Sequence, residues 1–206
     1  MLEKVRFPLA QYTKKEIFAL ARERGLKAAE REESQDFIPD VYMEHLFKDK
    51  PSVPGDIIDL DGKVLGRHRG IEHYTIGQRR GLGVSASEPL YVAEIDREKN
   101  LVVLGKDKDL FCKGLIAEDL VWPGNYVPSK PFYADVKIRL ASRPVKALIE
   151  EYVPEENERN LFKGKPFKVI FDSPQRAVAP GQSAVFYING VTAGGGIIQS
   201  ALKGNL

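Results

Sequence analysis

The sequence has little of what defines several functional classes. Its single cysteine, Cys112, excludes an intrachain disulfide framework and a zinc site built from the cysteines of one chain. Charge of neither sign is in excess, since 31 Lys and Arg against 29 Asp and Glu leave a net charge of +2, so any anion site must be a local patch. No window approaches the roughly 20 apolar residues of a membrane helix, and the N-terminus lacks a signal-peptide pattern. We therefore expect a cytoplasmic protein without a membrane span.

Residues 1–50 have a helical pattern. Thr13 and Glu16 fit a capping box, in which each side chain bonds the backbone amide of the other residue. A short apolar stripe follows, and Gly25 is placed to end the helix in a left-handed conformation. A second helical stretch covers residues 41–48 and precedes the breaker-rich sequence PSVPG. We predict a helical segment up to residue 50.

The pattern changes to strands between residues 51 and 125. DIIDL and KVLGRH flank Asp61-Gly62, a dipeptide that favours a two-residue hairpin turn, and LYVAEI and LVVL flank the turn sequence DREKN. GLIAEDLVW, at residues 114–122, continues the strand pattern. The next nine residues, PGNYVPSKP, contain three prolines and are typical of an interdomain linker. We predict a small strand-rich central domain over residues 51–125.

Residues 126–206 contain short apolar strands at regular intervals, which indicate a small closed barrel. Asn189-Gly190 marks a hairpin, and the run Gly194-Gly195-Gly196 indicates a close approach of two strands or a bend in the barrel. The predicted fold class is therefore mainly β, with an α-helical N-terminal segment, a strand-rich central domain and a C-terminal β-barrel.

HYTIGQRRGLG, at residues 73–83, concentrates polar donors between glycines. Its glycines lack the spacing of a dinucleotide-binding fingerprint, and no phosphate-loop lysine follows them. Gln78, Arg79 and Arg80 would offer donors to phosphates, and Tyr74 would offer a ring to an unpaired base. The same residues also fit a solvated hairpin tip, so the residues alone leave both interpretations open.

Two other groups invite a chemical interpretation. His68, Glu72 and His73 lie close in sequence, but their spacing matches no standard zinc pattern, so we predict no metal site there. Cys112 lies among apolar residues with no histidine close in sequence, which favours a buried small hydrophobe over a nucleophile.

Several long blocks together resemble one family. GRHRGIEHYTIGQRRGLGVSASEPLYVAEID, VKIR, VIFDSPQRAVAPGQSAVFY and GGGII resemble the C-terminal half of the bacterial tRNA-specific 2-thiouridylases. FPLAQYTKKEIFALARERGLKAAEREESQDFIPD resembles the end of the nucleotide-binding domain of the same enzymes. The resemblance extends over essentially the whole chain.

This resemblance implies an enzyme that uses ATP to adenylate the C2 oxygen of a wobble uridine in certain tRNAs and replaces that oxygen by persulfide sulfur. Adenylation makes the oxygen a good leaving group for attack by sulfur. The central domain and an elongation-factor-like barrel would grip the tRNA. The family's ATP-pyrophosphatase signature, a Ser-Gly-Gly-rich loop, has no counterpart in this sequence. We therefore expect no cofactor in this chain, and ATP and magnesium on a missing N-terminal domain or subunit.

The sulfur-carrying segment of the family departs from its pattern here. The family's persulfide cysteine lies in a Ser-Gln-Asp-Ile-Cys-Phe-Ile segment, whereas here Ser34, Gln35, Asp36 and Phe37 lead directly to Ile38. The cysteine position is deleted, so we assign no catalytic residue to this chain and expect it to bind tRNA without catalysis. A sulfur-donor protein or relay, such as an iron–sulfur cluster held upstream, would then supply the sulfur.

The resemblance assigns tRNA contacts position by position. Gln182 matches a tRNA-contacting glutamine in PGQSAVFY, and Arg139 matches a tRNA-contacting arginine that is usually followed by tyrosine rather than Leu140. Arg79 and Arg80 match the basic pair of YTIGQRRGLG, for which phosphate contact is the expected role. The alternative function is an independent RNA-binding or translation-associated β-barrel module with no thiolation role. The predicted tRNA-binding residues are Gln78, Arg79, Arg80, Arg139 and Gln182.

Overall fold

The computed structural model describes residues 5–30, 52–125 and 127–203. Compactness divides the chain into two units, Met1–Pro51 and Ser52–Leu206. The helical stretch predicted at residues 41–48 lies outside the described residues. Within the described ranges, no helix has the length and apolar character needed to cross a membrane.

The first unit contains the predicted capped helix, α1 (Lys14–Glu23), and a 3-10 turn, Lys27–Glu30. The Thr13 amide donates to the Glu16 carboxylate at 2.7 Å, and the Glu16 amide donates to the Thr13 hydroxyl at 3.4 Å. Gly25 follows the helix with a φ of +64°, as expected for a left-handed terminating residue. Both signals at the ends of this helix are confirmed.

The described part of the second unit contains ten strands and four 3-10 turns. The strands are β1 (Gly55–Asp59), β2 (Val64–His68), β3 (Tyr91–Asp96), β4 (Leu101–Gly105), β5 (Phe111–Val121), β6 (Phe132–Lys137), β7 (Val145–Glu151), β8 (Phe167–Arg176), β9 (Ser183–Ile188) and β10 (Val191–Leu202). The 3-10 turns are Ile71–His73, Asp107–Leu110, Pro123–Asn125 and Arg159–Leu161. The predicted mainly β fold class is confirmed.

Strands β1 to β4 form a sheet in the order β2-β1-β4-β3. The β1 and β4 strands are parallel, and the two outer pairs are antiparallel hairpins. The first hairpin differs from its prediction, because Asp59 and Lys63 are hydrogen-bonded across a three-residue loop in which Gly62 has a φ of +83°. A three-residue loop with a left-handed glycine is a common alternative to the two-residue turn.

Strands β5 to β10 close a six-stranded barrel in the order β10-β5-β8-β7-β6-β9. The sequence interpretation assigned residues 114–122 to the central domain, but β5 pairs with β8 and β10 and is a barrel strand. The proline-rich residues 123–131 therefore connect two strands of one barrel. Proline-rich segments occur both in linkers between domains and in surface loops within one domain. Strand pairing between distant segments leaves no local sequence signal that would distinguish the two.

The barrel core is built around Trp122, whose ring makes edge contacts with Phe132 and Phe167 at centroid distances of 6.0 and 5.4 Å. A Cβ atom on Gly194 would overlap the Trp122 ring. On Gly196 it would lie 2.6 Å from the carbonyl oxygen of Glu118. The close approach predicted for the glycine run is confirmed, because side chains there would exclude the indole or the neighbouring strand.

The sheet and the barrel meet over a small apolar cluster formed by Ala93, Leu110 and Ala177. An ion pair between Glu94 on β3 and Lys203, at the end of β10, spans the same junction at 2.6 Å. This junction positions the residues of the candidate nucleic-acid interface.

Candidate nucleic-acid interface

The loop that carries the paired arginines is attached to the sheet by its own backbone. The Gly77 amide donates to the Val92 carbonyl at 2.8 Å, and the Val92 amide donates to the Gln78 carbonyl at 2.9 Å. Leu82 anchors the far side of the loop in the sheet core. The loop therefore has a defined conformation at its base.

The side chain of Gln78 braces this loop from within. Its Oε1 accepts the Thr75 amide and its Nε2 donates to the Arg80 carbonyl, both at 2.9 Å. These bonds give Gln78 an intramolecular role that its sequence context did not reveal. Binding of RNA by Gln78 stays a prediction.

Arg79 and Arg80 are both exposed. Neither side chain forms a hydrogen bond or an ion pair with another residue in the described ranges. The loop thus presents two cations to solvent with no counter-charge among the described residues. This arrangement fits both interpretations drawn from the sequence, a phosphate site and a solvated tip.

The base of the loop lies against the barrel. Gly77 has a φ of +85°, and a Cβ on it would lie 3.0 Å from the Cβ of Ala177. Any larger residue would therefore meet both backbone strain and a steric contact. Through Gly77, the arginine loop is adjacent to the turn that follows β8.

Arg176 is the last residue of β8, next to that turn, and was missed by the sequence analysis. Its Nε and Nη2 both lie 2.9 Å from Oδ1 of Asp107, and its guanidinium carbon lies 5.1 Å from the Tyr91 ring centroid. The block VIFDSPQRAVAPGQSAVFY, which we used to place Gln182, already contained Arg176. Membership of that block was the available signal.

Arg139 and Gln182, which lie 43 positions apart, are in direct contact. The Arg139 Nε donates to Gln182 Oε1 at 3.2 Å, and Arg139 Nη2 donates to the Ala177 carbonyl. Within the described residues, no carboxylate pairs with Arg139. Burial, and secondarily the charge of Arg176, lower the pKa of the Arg139 guanidinium. An arginine remains protonated despite such a shift, so no residue in the described ranges supplies this cation with a compensating anion.

These contacts join the predicted residues into one region, which we call the junction surface. Contacts run from the arginine loop through Gly77 and Ala177 to Arg139 and Gln182. Arg139, Arg176 and Gln182 therefore lie at the seam between the sheet and the barrel, and the arginine loop reaches this seam through Gly77. The junction surface consists of Arg79, Arg80, Arg139, Arg176 and Gln182.

A cleft of about 960 Å³ opens along the same seam, between the sheet and the barrel. Tyr74 and Ile95 line its sheet side, Val178 and Leu202 line its barrel side, and Gln182 reaches it from the junction surface. Tyr74 is thus placed at a cavity rather than at a bare surface.

Two other residues highlighted by the sequence have structural roles. His68 is 2% exposed; its Nε2 lies 3.0 Å from the Asn100 carbonyl, and its Nδ1 accepts the Gly70 amide at 3.1 Å. Cys112 is 4% exposed, which confirms the prediction of a buried small residue, and burial raises the pKa of its thiol. Ser34, Gln35, Asp36 and Phe37 lie outside the described residues.

Comparison with known families agrees with this architecture. A model described as the tRNA methyl transferase HUP domain matches residues 1–40, and the tRNA methyl transferase PRC-barrel domain matches residues 43–106. The aminomethyltransferase beta-barrel domain matches residues 112–198, a range that begins within β5. The sheet lies within the range of the PRC-barrel model, and the barrel coincides largely with the range of the aminomethyltransferase beta-barrel model. The chain therefore has the domain order HUP, PRC-barrel and aminomethyltransferase beta-barrel.

Curated relatives place the chain more narrowly. The tRNA-specific 2-thiouridylase MnmA of Halothermothrix orenii is 42% identical over 197 residues, which cover 93% of this chain and 52% of the relative. The protein of the same name from Chlorobaculum tepidum is 44% identical over 205 residues, with 96% and 53% covered. The chain belongs to the tRNA-specific 2-thiouridylase family, as its sequence blocks predicted, and it spans about half the length of these relatives.

Proposed function

We propose that this chain is the tRNA-recognition part of a tRNA-uridine 2-sulfurtransferase and that it binds tRNA through the junction surface. One observation carries the proposal. The Arg139 guanidinium is half-buried, has no acidic partner among the described residues and lies near a second cation, Arg176. A desolvated cation of this kind is stabilised by an anion, and tRNA offers a phosphate at every nucleotide.

The exposed arginines extend the same argument. Arg79 and Arg80 need not break any internal hydrogen bond or ion pair among the described residues before they contact a phosphate. Because neutralising phosphates releases condensed counterions, such residues supply salt-dependent affinity without base preference. Gln182 supplies the polar group that could distinguish bases at the same surface.

In this proposal, the thiolation reaction takes place on another domain or subunit. The described residues contain no group of three or more His, Cys, Asp or Glu suited to a metal, and the cleft carries the carboxylates of Glu72 and Glu94. The sequence also has no Ser-Gly-Gly-rich loop of the kind that binds ATP in the family. In our proposal, a domain or subunit with the ATP site and a sulfur-donor relay act on the tRNA held here, in the cytoplasm.

A titration of labelled tRNA across a salt series tests the proposal. We expect saturable binding that favours a lysine or glutamate isoacceptor over a non-substrate tRNA and weakens steeply as salt rises. The control is Lys165→Ala with Lys168→Ala, which removes two cations paired with Glu151 and Glu150 on the barrel. Affinity that is unchanged by salt would contradict the assignment to the junction surface. So would a loss of affinity in the control as large as the loss in a variant with both Arg79→Ala and Arg80→Ala.

The alternative is an RNA-binding module with no thiolation role. The missing cysteine beside Asp36 and the burial of Cys112 favour it, because neither position provides an accessible sulfur carrier. The two functions are separated by measuring 2-thiouridine in tRNA from a 2-thiouridylase-deficient strain that produces a relative's HUP domain with or without this chain. Restored 2-thiouridine only when both are present supports the first function.

A further inference from the structure

The chain enters the sheet through residues 52–54, which directly precede β1 and which we call the entry segment. The side chain of Asn100 holds this segment, since its Nδ2 donates to the Val53 carbonyl and to the Pro54 carbonyl, both at 3.2 Å. Neither of these two residues belongs to a strand. The bonds from Asn100 therefore fix a piece of backbone that no strand ladder holds.

The backbone around Asn100 is itself fixed. Asn100 ends the turn between β3 and β4, and its φ of +53° lies in the left-handed region, which asparagine tolerates better than most residues with a Cβ. Asp96 Oδ1 stabilises the same turn by accepting the Glu98 amide at 3.1 Å and the Lys99 amide at 2.9 Å. The side-chain amide of Asn100 is thus presented from a well-defined turn.

The carbonyl of Asn100 connects the same turn to the cleft. It accepts a hydrogen bond from Nε2 of the buried His68 at 3.0 Å, and the His68 ring makes an edge contact with the ring of Tyr74 at a centroid distance of 5.9 Å. Tyr74 lines the cleft. A Cβ on Gly55, the first residue of β1, would overlap the Asn100 carbonyl oxygen and lie 2.6 Å from His68 Nε2. Asn100 therefore holds the entry segment with its side chain and a wall residue of the cleft with its backbone.

A second contact joins the entry segment to the block that carries the paired arginines. Ser52 Oγ lies 3.3 Å from Nε2 of His73, in the 3-10 turn Ile71–His73. His73 is also the first residue of HYTIGQRRGLG. The beginning of the second unit and the beginning of this block are therefore fastened to each other at two points, one through Asn100 and one through His73.

We infer that Asn100 is a positioning residue for thiolation. It fixes the direction in which the chain coming from the HUP-domain residues enters the sheet, and thereby the approach of the catalytic part to a tRNA held on the arginine loop. The HUP-domain match ends at residue 40, so the covalent connection between the two parts runs through the entry segment. A displacement of about 1 Å far from the reacting atoms can lower a rate by about 100-fold. The inference rests on the proposed function, since it requires tRNA on this chain.

Asn100→Gly removes the two bonds to the entry segment and little else. Glycine adopts a positive φ readily and keeps the carbonyl that accepts from His68. Asn189→Gly is the matched control, because Asn189 also has a positive φ, of 52°, in the turn between β9 and β10. Urea unfolding checks that both variants retain the fold.

Distances between two spin labels on the full chain test the positioning directly. Glu23→Cys on α1 and Lys63→Cys in the turn after β1 supply exposed attachment sites, and the buried Cys112 leaves the labelling selective. We expect the distance distribution to become broader when Asn100→Gly is added and to stay unchanged with the control. Equal distributions in all three proteins would overturn the inference, whether or not the chain binds tRNA.

A chimera gives the thiolation readout. The Halothermothrix orenii relative, with its matching part replaced by this chain, is produced in a 2-thiouridylase-deficient strain, and the initial rate of 2-thiouridine accumulation is measured. We expect Asn100→Gly to lower this rate by about tenfold or more. The tRNA affinity in the salt series should change by less than about twofold, the pattern of a residue that acts on the reaction rather than on binding. An unchanged rate, or equal losses of rate and affinity, would overturn the positioning role. A chimera that forms no 2-thiouridine without the substitution would count against the proposed function instead.

Discussion

Arg176 and Asp107 form a close ion pair, in which two guanidinium nitrogens lie 2.9 Å from one carboxylate oxygen. The pair joins the end of β8 to the 3-10 turn Asp107–Leu110, beside the ring of Tyr91. It also sets the charge of the junction surface, because Asp107 neutralises one of the four arginines there. The two residues are therefore expected to act on tRNA binding in opposite directions.

We expect Asp107→Asn to raise tRNA affinity and Arg176→Met to lower it, each by up to about fivefold, since an exposed ion pair is worth at most ~1 kcal/mol. Filter binding at low salt measures both variants, and urea unfolding checks that the fold is retained. If Asp107→Asn weakens binding as much as Arg176→Met, the pair holds the turn in place and does not control the charge of the surface.

The paired arginines of the exposed loop give a second prediction. Replacing both Arg79 and Arg80 by alanine should weaken the binding of all tRNAs by the same factor. It should also reduce the steepness of the plot of log affinity against log salt by about 2, close to one unit for each lost phosphate contact. The measurement is the salt series described above. An unchanged slope would assign both arginines to a solvated tip, and the Lys165→Ala, Lys168→Ala control should keep the original slope.

A third prediction concerns the barrel core. Gly194→Ala places a methyl group in the space of the Trp122 ring, so we expect the free energy of unfolding to fall by about 1–3 kcal/mol, the usual cost of overpacking. Urea denaturation followed by tryptophan fluorescence is a direct assay, since Trp122 is the single tryptophan. Gly66→Ala is the matched control, because its added Cβ would make an ordinary 3.4 Å contact with Val84. Equal losses in the two variants would rule out a specific clash at Trp122.

The buried thiol of Cys112 gives a prediction that depends on pH. Because burial raises its pKa in the folded state, the unfolded chain releases this proton first as pH rises. The stability contributed by the protonated thiol is complete below its unfolded pKa of about 8.5 and is lost as pH rises towards the folded value. We expect the unfolding free energy to decline above this pH more steeply in the wild-type chain than in Cys112→Ala. Parallel pH profiles would refute this assignment.

Structural predictions from local sequence signals were correct where the contacts join residues that are close together in the sequence. Thr13 and Glu16 are three residues apart, and their capping box forms as expected. Asn189 and Gly190 both have positive φ, of 52° and 76°, as their hairpin requires. The glycine run ending at Gly196 correctly indicated strands in close approach.

The sequence was less informative where distant segments meet. Nothing near Gly114 indicates that it faces Ile170 and Leu202 across two strand pairs, so β5 was assigned to the wrong module. Contact between Arg139 and Gln182 was equally invisible, although each residue had been selected separately. A motif identifies residues that matter together in a family, whereas the hydrogen bonds that set their chemistry depend on the tertiary fold.

Closure of the barrel between β5 and β10 has a consequence for the order of events during synthesis. The sheet is complete once residue 105 has left the ribosome, but the edge of β5 that does not pair with β8 must wait for β10, which ends at Leu202. Until then its backbone edge stays unpaired, which is the condition that favours aggregation of nascent chains. The barrel is therefore expected to be the slow and chaperone-sensitive step in biogenesis, and a ribosome stalled before residue 191 would carry a finished sheet beside an open barrel.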